Sequence, residues 1–319
     1  MGKRPVIGSA GELLVEFVAT DKDGHHRRPT TYQGPFPSGA PGIFIDQAAK
    51  QGASAIFAGA AGDDAFGDVL RQRFVEDGVD LSLINTVVGV PTGSAFVSYN
   101  TDGSRDFVFN IAHSAASHFE GSDDVVNAMI EMGLDAFHVS GSSLGDPAMA
   151  GKIMALCQKL SAGGVALSFD PNIRKELLGD PGYRQTIDNL LQLSSFILPS
   201  EEDTAVLFPG ESFDSFAPHL IANGAKIVVL KRGADGARGL TRSGEAADLP
   251  AFPVSVVDPT GAGDCFCATL VTLLMSEEFG FGEALRRANA AGALAVGKTG
   301  PMEGNSSRVE IEAFLREQQ

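Results

Sequence analysis

From about residue 120 onward, short apolar runs alternate with stretches of helical period. The runs are A-F-H-V-S-G (136–141), V-A-L-S-F-D (165–170), S-F-I-L-P (195–199), K-I-V-V-L-K (226–231) and P-V-S-V-V (253–257), and each reads as a buried strand. Short strands separated by helices predict a parallel sheet covered on both faces, with ligands at the carboxyl ends of the strands. The N-terminal third has a different rhythm. Residues 5–18 read as one opening strand that runs past a glycine pair, so that Glu12 and Glu16 share a parity and face the same way. A glycine turn at 38–52 enters a helix, 53–60 is a buried strand, and an amphipathic helix follows the turn at 62–67 and ends at Asp77. Residues 92–100 and 105–111 alternate around Thr101-Asp102-Gly103-Ser104, a hairpin signal. The expected fold class is α/β: a doubly wound, mostly parallel sheet with helices on both faces, plus an early hairpin-rich piece outside it.

Composition narrows the partners more than the fold. The 319 residues suit two domains or one large α/β domain with an accessory piece, and the absence of a repeat or low-complexity linker favours one unit over 1–319. A net charge of −16 argues against nucleic acid or an anionic membrane as partner. It leaves an anionic substrate open, because a local cradle overrides a global field. The 3 cysteines include Cys265 and Cys267 at C-x-C spacing, and an odd count without a C-x-x-C set points to reduced thiols in a cytoplasm. No basic-then-apolar leader and no apolar run of membrane length is expected.

The stretch V-V-D-P-T-G-A-G-D-C-F (256–266) carries the chemistry. Asp258-Pro259 breaks the preceding β-branched run, Gly261 and Gly263 permit a tight turn with bare backbone, and an unbroken apolar helix starts at Asp264. Such a turn aims several N–H groups at one spot, which the helix dipole makes favourable for anions. A carboxylate beside it supplies a proton acceptor, so the pair meets the needs of phosphoryl transfer to a hydroxyl. A bare G-A-G-D is more often only a turn with a capping aspartate. The longer string D-P-T-G-A-G-D closely resembles the D-x-T-G-A-G-D signature of the ribokinase-like (PfkB) carbohydrate kinases. That resemblance implies Asp264 as catalytic base, the amides of Gly261, Ala262 and Gly263 as the anion hole, and Thr260 beside the nucleotide. It also accounts for the early hairpins as a small β-sheet lid over the sugar, built from about 12–34 and 88–112.

Other segments fall in the family's order along essentially the whole chain. D-P-N-I-R (170–174) ends a core strand and is similar to the family's D-x-N-x-R, which implies Arg174 near the phosphates or the sugar. P-S-E-E-D (199–203) stands where the family has N-x-x-E, which organises magnesium through water. Here Ser200 and Asp203 replace both ends, so Asp203 is expected to act on metal only indirectly. K-R-G-A-D-G (231–236) resembles the turn beside the nucleotide, implicating Lys231, Gly233 and Gly236, and Asn289 matches the helix that packs on adenine. S-G-A-P-G-I (38–43) resembles the sugar-binding turn G-G-x-x-x-N, with Gly39 and Gly42 keeping the turn while Ser38 and Ile43 depart from it. Glu16 falls where relatives carry an aspartate that binds sugar hydroxyls.

A literal Walker A match at 292–299, G-A-L-A-V-G-K-T, is rejected: an alanine-rich helix over 284–296 runs into it, Gly297 reads as its C-cap, and Gly300-Pro301 stops any helix afterwards. In the lid strand F-V-F-N-I-A-H (107–113), Asn110 and Ile111 stand where ketodeoxygluconate kinases carry an aromatic-Arg pair. A carboxylate substrate would lose its cationic partner, a cost of about 3–5 kcal/mol, while Asn110 and His113 can serve neutral hydroxyls.

The resemblance thus implies an ATP- and Mg2+-dependent sugar kinase acting on a primary hydroxyl of a neutral ketohexose, tagatose or fructose, with a monovalent cation such as K+ as a further cofactor to test. 2-Keto-3-deoxygluconate is the alternative substrate, and a nucleoside comes third. A non-catalytic sugar sensor is the contrasting class, disfavoured because Asp264 and its turn are intact. A lid with edge strands suggests a homodimer.

Overall fold

The computed structural model describes residues 2–102 and 104–318. Strands β1 (Val6–Ala10) and β2 (Leu14–Ala19) are followed by β3 (Tyr32–Ser38), helix α1 (Ala40–Lys50), β4 (Ser54–Gly62) and α2 (Ala65–Asp77). Short strands β5 (Val79–Asp80) and β6 (Ile84–Val87) precede the hairpin of β7 (Gly93–Tyr99) and β8 (Arg105–Asn110); its expected turn residue Gly103 lies outside the described residues. Helix and strand then alternate through α3 (Asp123–Glu131), β9 (Ala136–Ser140), α4 (Pro147–Ala162), β10 (Ala166–Asp170), α5 (Pro181–Leu193) and β11 (Phe196–Ile197). Helices α6 (Glu201–Leu207) and α7 (Phe213–Ala222) lead into β12 (Ile227–Lys231), β13 (Ala237–Thr241) and β14 (Ala246–Leu249). Helices α8 (Ala262–Met275), α9 (Phe281–Ala295) and α10 (Arg308–Glu317) finish the fold.

The large sheet has the order β14-β13-β12-β11-β10-β9-β1-β4-β5, with β6 also pairing β4. It is parallel from β12 to β5, and β13 and β14 add an antiparallel edge. Alternation along the central strands feeds two cores. Phe137, Val139, Leu167 and Phe169 pack with α3, α4 and α5 on one face, while α1, α8 and α9 bury Phe44, Leu270 and Leu285 on the other. His138 points to the α1 side, where its ring lies on Phe44 (centroids 3.7 Å apart) and its Nδ1 is 3.0 Å from Ser168 Oγ. Burial holds this imidazole well below its ordinary pKa, so it stays neutral. A separate four-stranded sheet has the order β3-β2-β7-β8.

Two expectations about strands are corrected. Residues 5–18 are not one strand: the chain bends at Gly11, at φ +146, where a Cβ would lie 2.2 Å from Ser143 Oγ. β1 therefore joins the large sheet and β2 the small one, and Glu12 sits in the connection rather than on a strand. Residues 253–257 are not a strand either. The β12–β13–β14 hairpins take the sheet edge instead, which leaves Val254 and Val256 exposed. The run's β-branched character resembles that of a buried strand, but it pairs with no strand among the described residues. β3 also runs to Ser38, past the bound of about residue 34 expected for the lid.

The contrast between the sheets predicts a measurable difference. Phe137→Ala, at a fully buried position, should cost about 3–5 kcal/mol in urea unfolding. Phe109→Ala, 47% exposed on the small sheet, should stay within about 0.5 kcal/mol of the parent.

Candidate active site

Between the small sheet and the carboxyl ends of the central strands lies a cavity of about 730 Å³. The small sheet contributes Leu14, Glu16, Ser38, Phe107 and Phe109; the loops after β9 and β10 and the turn at 259–264 close the other side. A second cavity of about 530 Å³ is walled mainly by apolar groups, among them Ala251, Phe252, Val254, Val256 and Phe266. The two share Lys231, Pro259 and Gly263. Their junction is the N-terminus of α8.

That N-terminus is built for an anion. Gly261 takes a left-handed conformation, φ 82, and a Cβ there would come within 2.5 Å of the Pro301 carbonyl oxygen. The helix's first hydrogen bond runs from Cys265 N to Gly261 O at 2.8 Å, so the N–H groups ahead of Cys265 have no acceptor within the helix, and no side chain caps them. Asp264 lies in this first turn, is only 8% exposed and lines the larger cavity. Burial pushes its carboxyl well above the usual range; Asp170 adds to the effect, Lys231 opposes it, and Glu12 adds again.

The other charged groups divide by what they touch. Lys231 pairs with Asp170, and burial is outweighed by that carboxylate, so the ammonium stays charged. Oδ1 of Asp170 is buried with no hydrogen-bond partner among the described residues, and Asp170 itself lines the larger cavity. Cys267 Sγ lies 3.6 Å from both Lys231 Nζ and Asp170 Oδ2, and burial keeps it a thiol. Glu12 accepts from Ser142 Oγ at 2.7 Å and from Ser143 Oγ. Glu16 accepts from Ser38 Oγ at 3.2 Å, while its Oε1 is buried and has no partner among the described residues. Its pKa is raised to about 7, by burial and by Asp258, against the pull of Ser38 and Arg105. Ser38, which departs from the glycine expected in this turn, thus holds Glu16 in place.

The expected site residues separate into groups. Glu16, Gly39, Arg174, Ser200, Thr260, Gly261 and Asp264 line the larger cavity. Gly233, Gly236, Ala262 and Asn289 line the apolar one, with Asn289 Nδ2 donating to Pro250 O at 3.1 Å. Lys231 and Gly263 line both. Ser200, expected beside the nucleotide, thus lines the larger cavity rather than the apolar one, since it caps α6. Asp203 is committed to that same cap: its Oδ2 accepts from Ser200 N and Oγ at 2.8 and 2.7 Å, and its Oδ1 accepts from Ile173 N at 2.8 Å. This pair clamps the 170–174 loop to α6.

Asn110 and His113, expected at the sugar, are both exposed and line neither of these two cavities. On β8 the odd positions Arg105, Phe107 and Phe109 face inward, so Asn110 has the wrong parity and bonds Ser94 Oγ across the strands at 3.3 Å. Sequence reasoning missed Arg105, Ser142 and Ser143 as wall residues. The serines follow β9 directly, and their position at a strand's carboxyl end was the available signal.

The sequence model described as pfkB family carbohydrate kinase matches residues 9–308. Fructokinase-2 of Zea mays is 31% identical, covering 92% of this chain and 89% of its own. An E. coli protein provisionally designated Ribokinase II, solved in apo form, is 37% identical with a TM-score of 0.92, covering 98% of this chain and 99% of its own. Its complex with ATP and Mg2+ superimposes with a TM-score of 0.89 at the same identity and coverage. A Vibrio cholerae fructokinase double mutant bound to fructose, ADP and potassium shares the fold, with a TM-score of 0.81 at 23% identity over 99% of both chains.

The raised carboxyl at Asp264 makes a signed prediction. Above the unfolded value of about 3.9 and up to the raised one, the folded state holds a proton that the unfolded state has lost. Asp264 therefore lowers stability as pH rises through that window. Asp264→Asn should melt higher than the parent at pH 8, with the difference shrinking towards pH 4 in thermal denaturation.

Proposed function

From the premise that this chain belongs to the pfkB family of carbohydrate kinases, we propose that it transfers the γ-phosphate of ATP to a primary hydroxyl of a neutral ketohexose, fructose or tagatose. The observation that carries the reading is one carboxylate, Asp264, in the first turn of a helix whose free amides open where a polar and an apolar cavity meet.

In this mechanism the sugar occupies the larger cavity. Its hydroxyls satisfy the unpartnered Glu16 Oε1, and an unmet buried acceptor otherwise costs about 1–3 kcal/mol. The adenine lies in the apolar cavity near Asn289, Gly233 and Gly236, and the phosphates run over Lys231 to the amides of Gly261–Gly263. Asp264 takes the hydroxyl proton as that oxygen attacks in line. Arg174 and Lys231 balance charge passing between the oxygens, and the amides hold the transferred group. Magnesium, when bound, neutralises the phosphate oxygens. The unpartnered Asp170 Oδ1 fits a role in holding it or its water shell, whereas the Asp203 oxygens are already occupied. The small sheet serves as a lid that excludes water.

The ketose preference draws support from the fructokinase relatives and from Ile111, which lines the cavity where an acid-specific kinase would need an arginine. Arg105 is the cation on that strand, and its Nη1 is engaged by Thr260 Oγ1 at 3.3 Å. A homodimer through the small sheet, dependence on K+ and a cytoplasmic location remain part of the proposal; among the described residues no helix is long and apolar enough to cross a membrane.

A panel of sugars with a coupled ADP assay tests this. Fructose or tagatose should give the highest kcat/KM, and a strong preference for 2-keto-3-deoxygluconate over every neutral ketose would defeat the substrate reading. Asp264→Asn should lower kcat about 10²–10⁴-fold while sugar binding stays measurable by calorimetry; near-normal turnover would remove the mechanism. Glu16→Gln should raise the ketose KM about tenfold, the ~1.5 kcal/mol of a hydrogen bond to a charged group.

A further inference from the structure

We propose that Tyr99 and Arg105 are positioning residues for phosphoryl transfer, holding the amide turn of α8 in register with the sheet that covers the sugar. The proposal rests on the kinase reading above. The two residues pair directly across β7 and β8 at the turn end of the hairpin. Tyr99 donates its hydroxyl to Asp258 Oδ1 and lies 3.1 Å from Thr260 Oγ1, and Arg105 Nη1 reaches the same Thr260 oxygen at 3.3 Å. The small sheet thereby grips the two residues that flank Pro259, immediately before Gly261.

Asp258 gathers three segments on one carboxylate. It is 1% exposed and, besides Tyr99, accepts from Thr260 N at 2.9 Å and from Gly300 N at 3.0 Å. On the far side the turn has no slack, because Gly261 is already packed against the Pro301 carbonyl. The position of the free amides is therefore set between the 300–301 backbone and the hairpin, and the hairpin is the side whose side chains can be changed singly. Burial and the neighbouring carboxylate raise the Tyr99 pKa, so the hydroxyl remains a donor across the working range. Displacing reacting groups by about 1 Å costs on the order of 10²-fold in rate, and such a displacement acts on the transition state more than on sugar binding.

The test is steady-state kinetics of the full chain with fructose and tagatose, alongside thermal melts. Tyr99→Phe keeps the ring and removes the donor. It should lower kcat about tenfold or more while the KM values for sugar and ATP change less than threefold and the melting temperature barely moves. Arg105→Gln should lower kcat in the same sense, and the double variant should lose less than the product of the two single losses. A Tyr99→Phe kcat within twofold of the parent would overturn the proposal, as would a rise in sugar KM at unchanged kcat. A kcat loss that merely tracks a falling melting temperature would also overturn it. A parent chain with no sugar-dependent ADP release would remove the kinase reading itself, and this proposal with it.

Discussion

The structure depends on keeping several buried carboxylates next to one ammonium. Lys231 pairs with Asp170, and Asp264, Glu12 and Asp203 lie near enough to shift the titration of this cluster. In a low-dielectric interior each charge needs a partner or gives up its ionisation. Asp264 and Asp170 are accordingly pushed towards the neutral form, and Asp170 leaves one oxygen unmet. Such a site offers hydroxyl donors and cations groups that are already desolvated. The same arrangement gives Asp264 the character proposed for it, because a carboxyl that ionises reluctantly is a stronger base once it has ionised.

Carboxylates also join the parts of the molecule. Glu12 ties the β1–β2 connection to the serines after β9, Glu16 ties β2 to the end of β3, and Asp203 ties the 170–174 loop to α6. Asp258 joins the small sheet, the turn before α8 and the 300–301 segment. These bonds converge on the cavity from different elements, so the two sheets are held by polar contacts at their meeting line and by apolar packing behind it.

Behind the turn, the segment after α9 is anchored by a further buried network. Asn305 donates to Ile43 O at 3.2 Å and to Asp46, and Gln47 exchanges hydrogen bonds with Ser306. Burial raises the Asp46 pKa to about 7, with Arg73 opposing and Asp77 adding. This network anchors the chain a few residues beyond the Pro301 carbonyl against which Gly261 packs.

The amino-acid sequence alone determined the local features. Helical and strand periods, the glycine turn with its aspartate, and the order of the segments follow from side-chain alternation and backbone permissiveness, which act between near neighbours in the chain. The rejected Walker A match belongs here too, since α9 runs into it and ends at Ala295. Tertiary structure decided whatever turns on partners distant in sequence. Residues 253–257 have the composition of a strand but pair with none among the described residues, and Val254 and Val256 line the apolar cavity instead. Asn110 has suitable chemistry, yet β8's register faces Arg105, Phe107 and Phe109 inward instead, and His113 lies exposed past the end of the strand. Ser38 stands in a glycine's place in the turn and only the fold sets Glu16 beside it, and Tyr99 carries no sequence signal because its partner lies 159 positions away. Pairing register and burial are set by the whole chain's packing, and no window of sequence contains them.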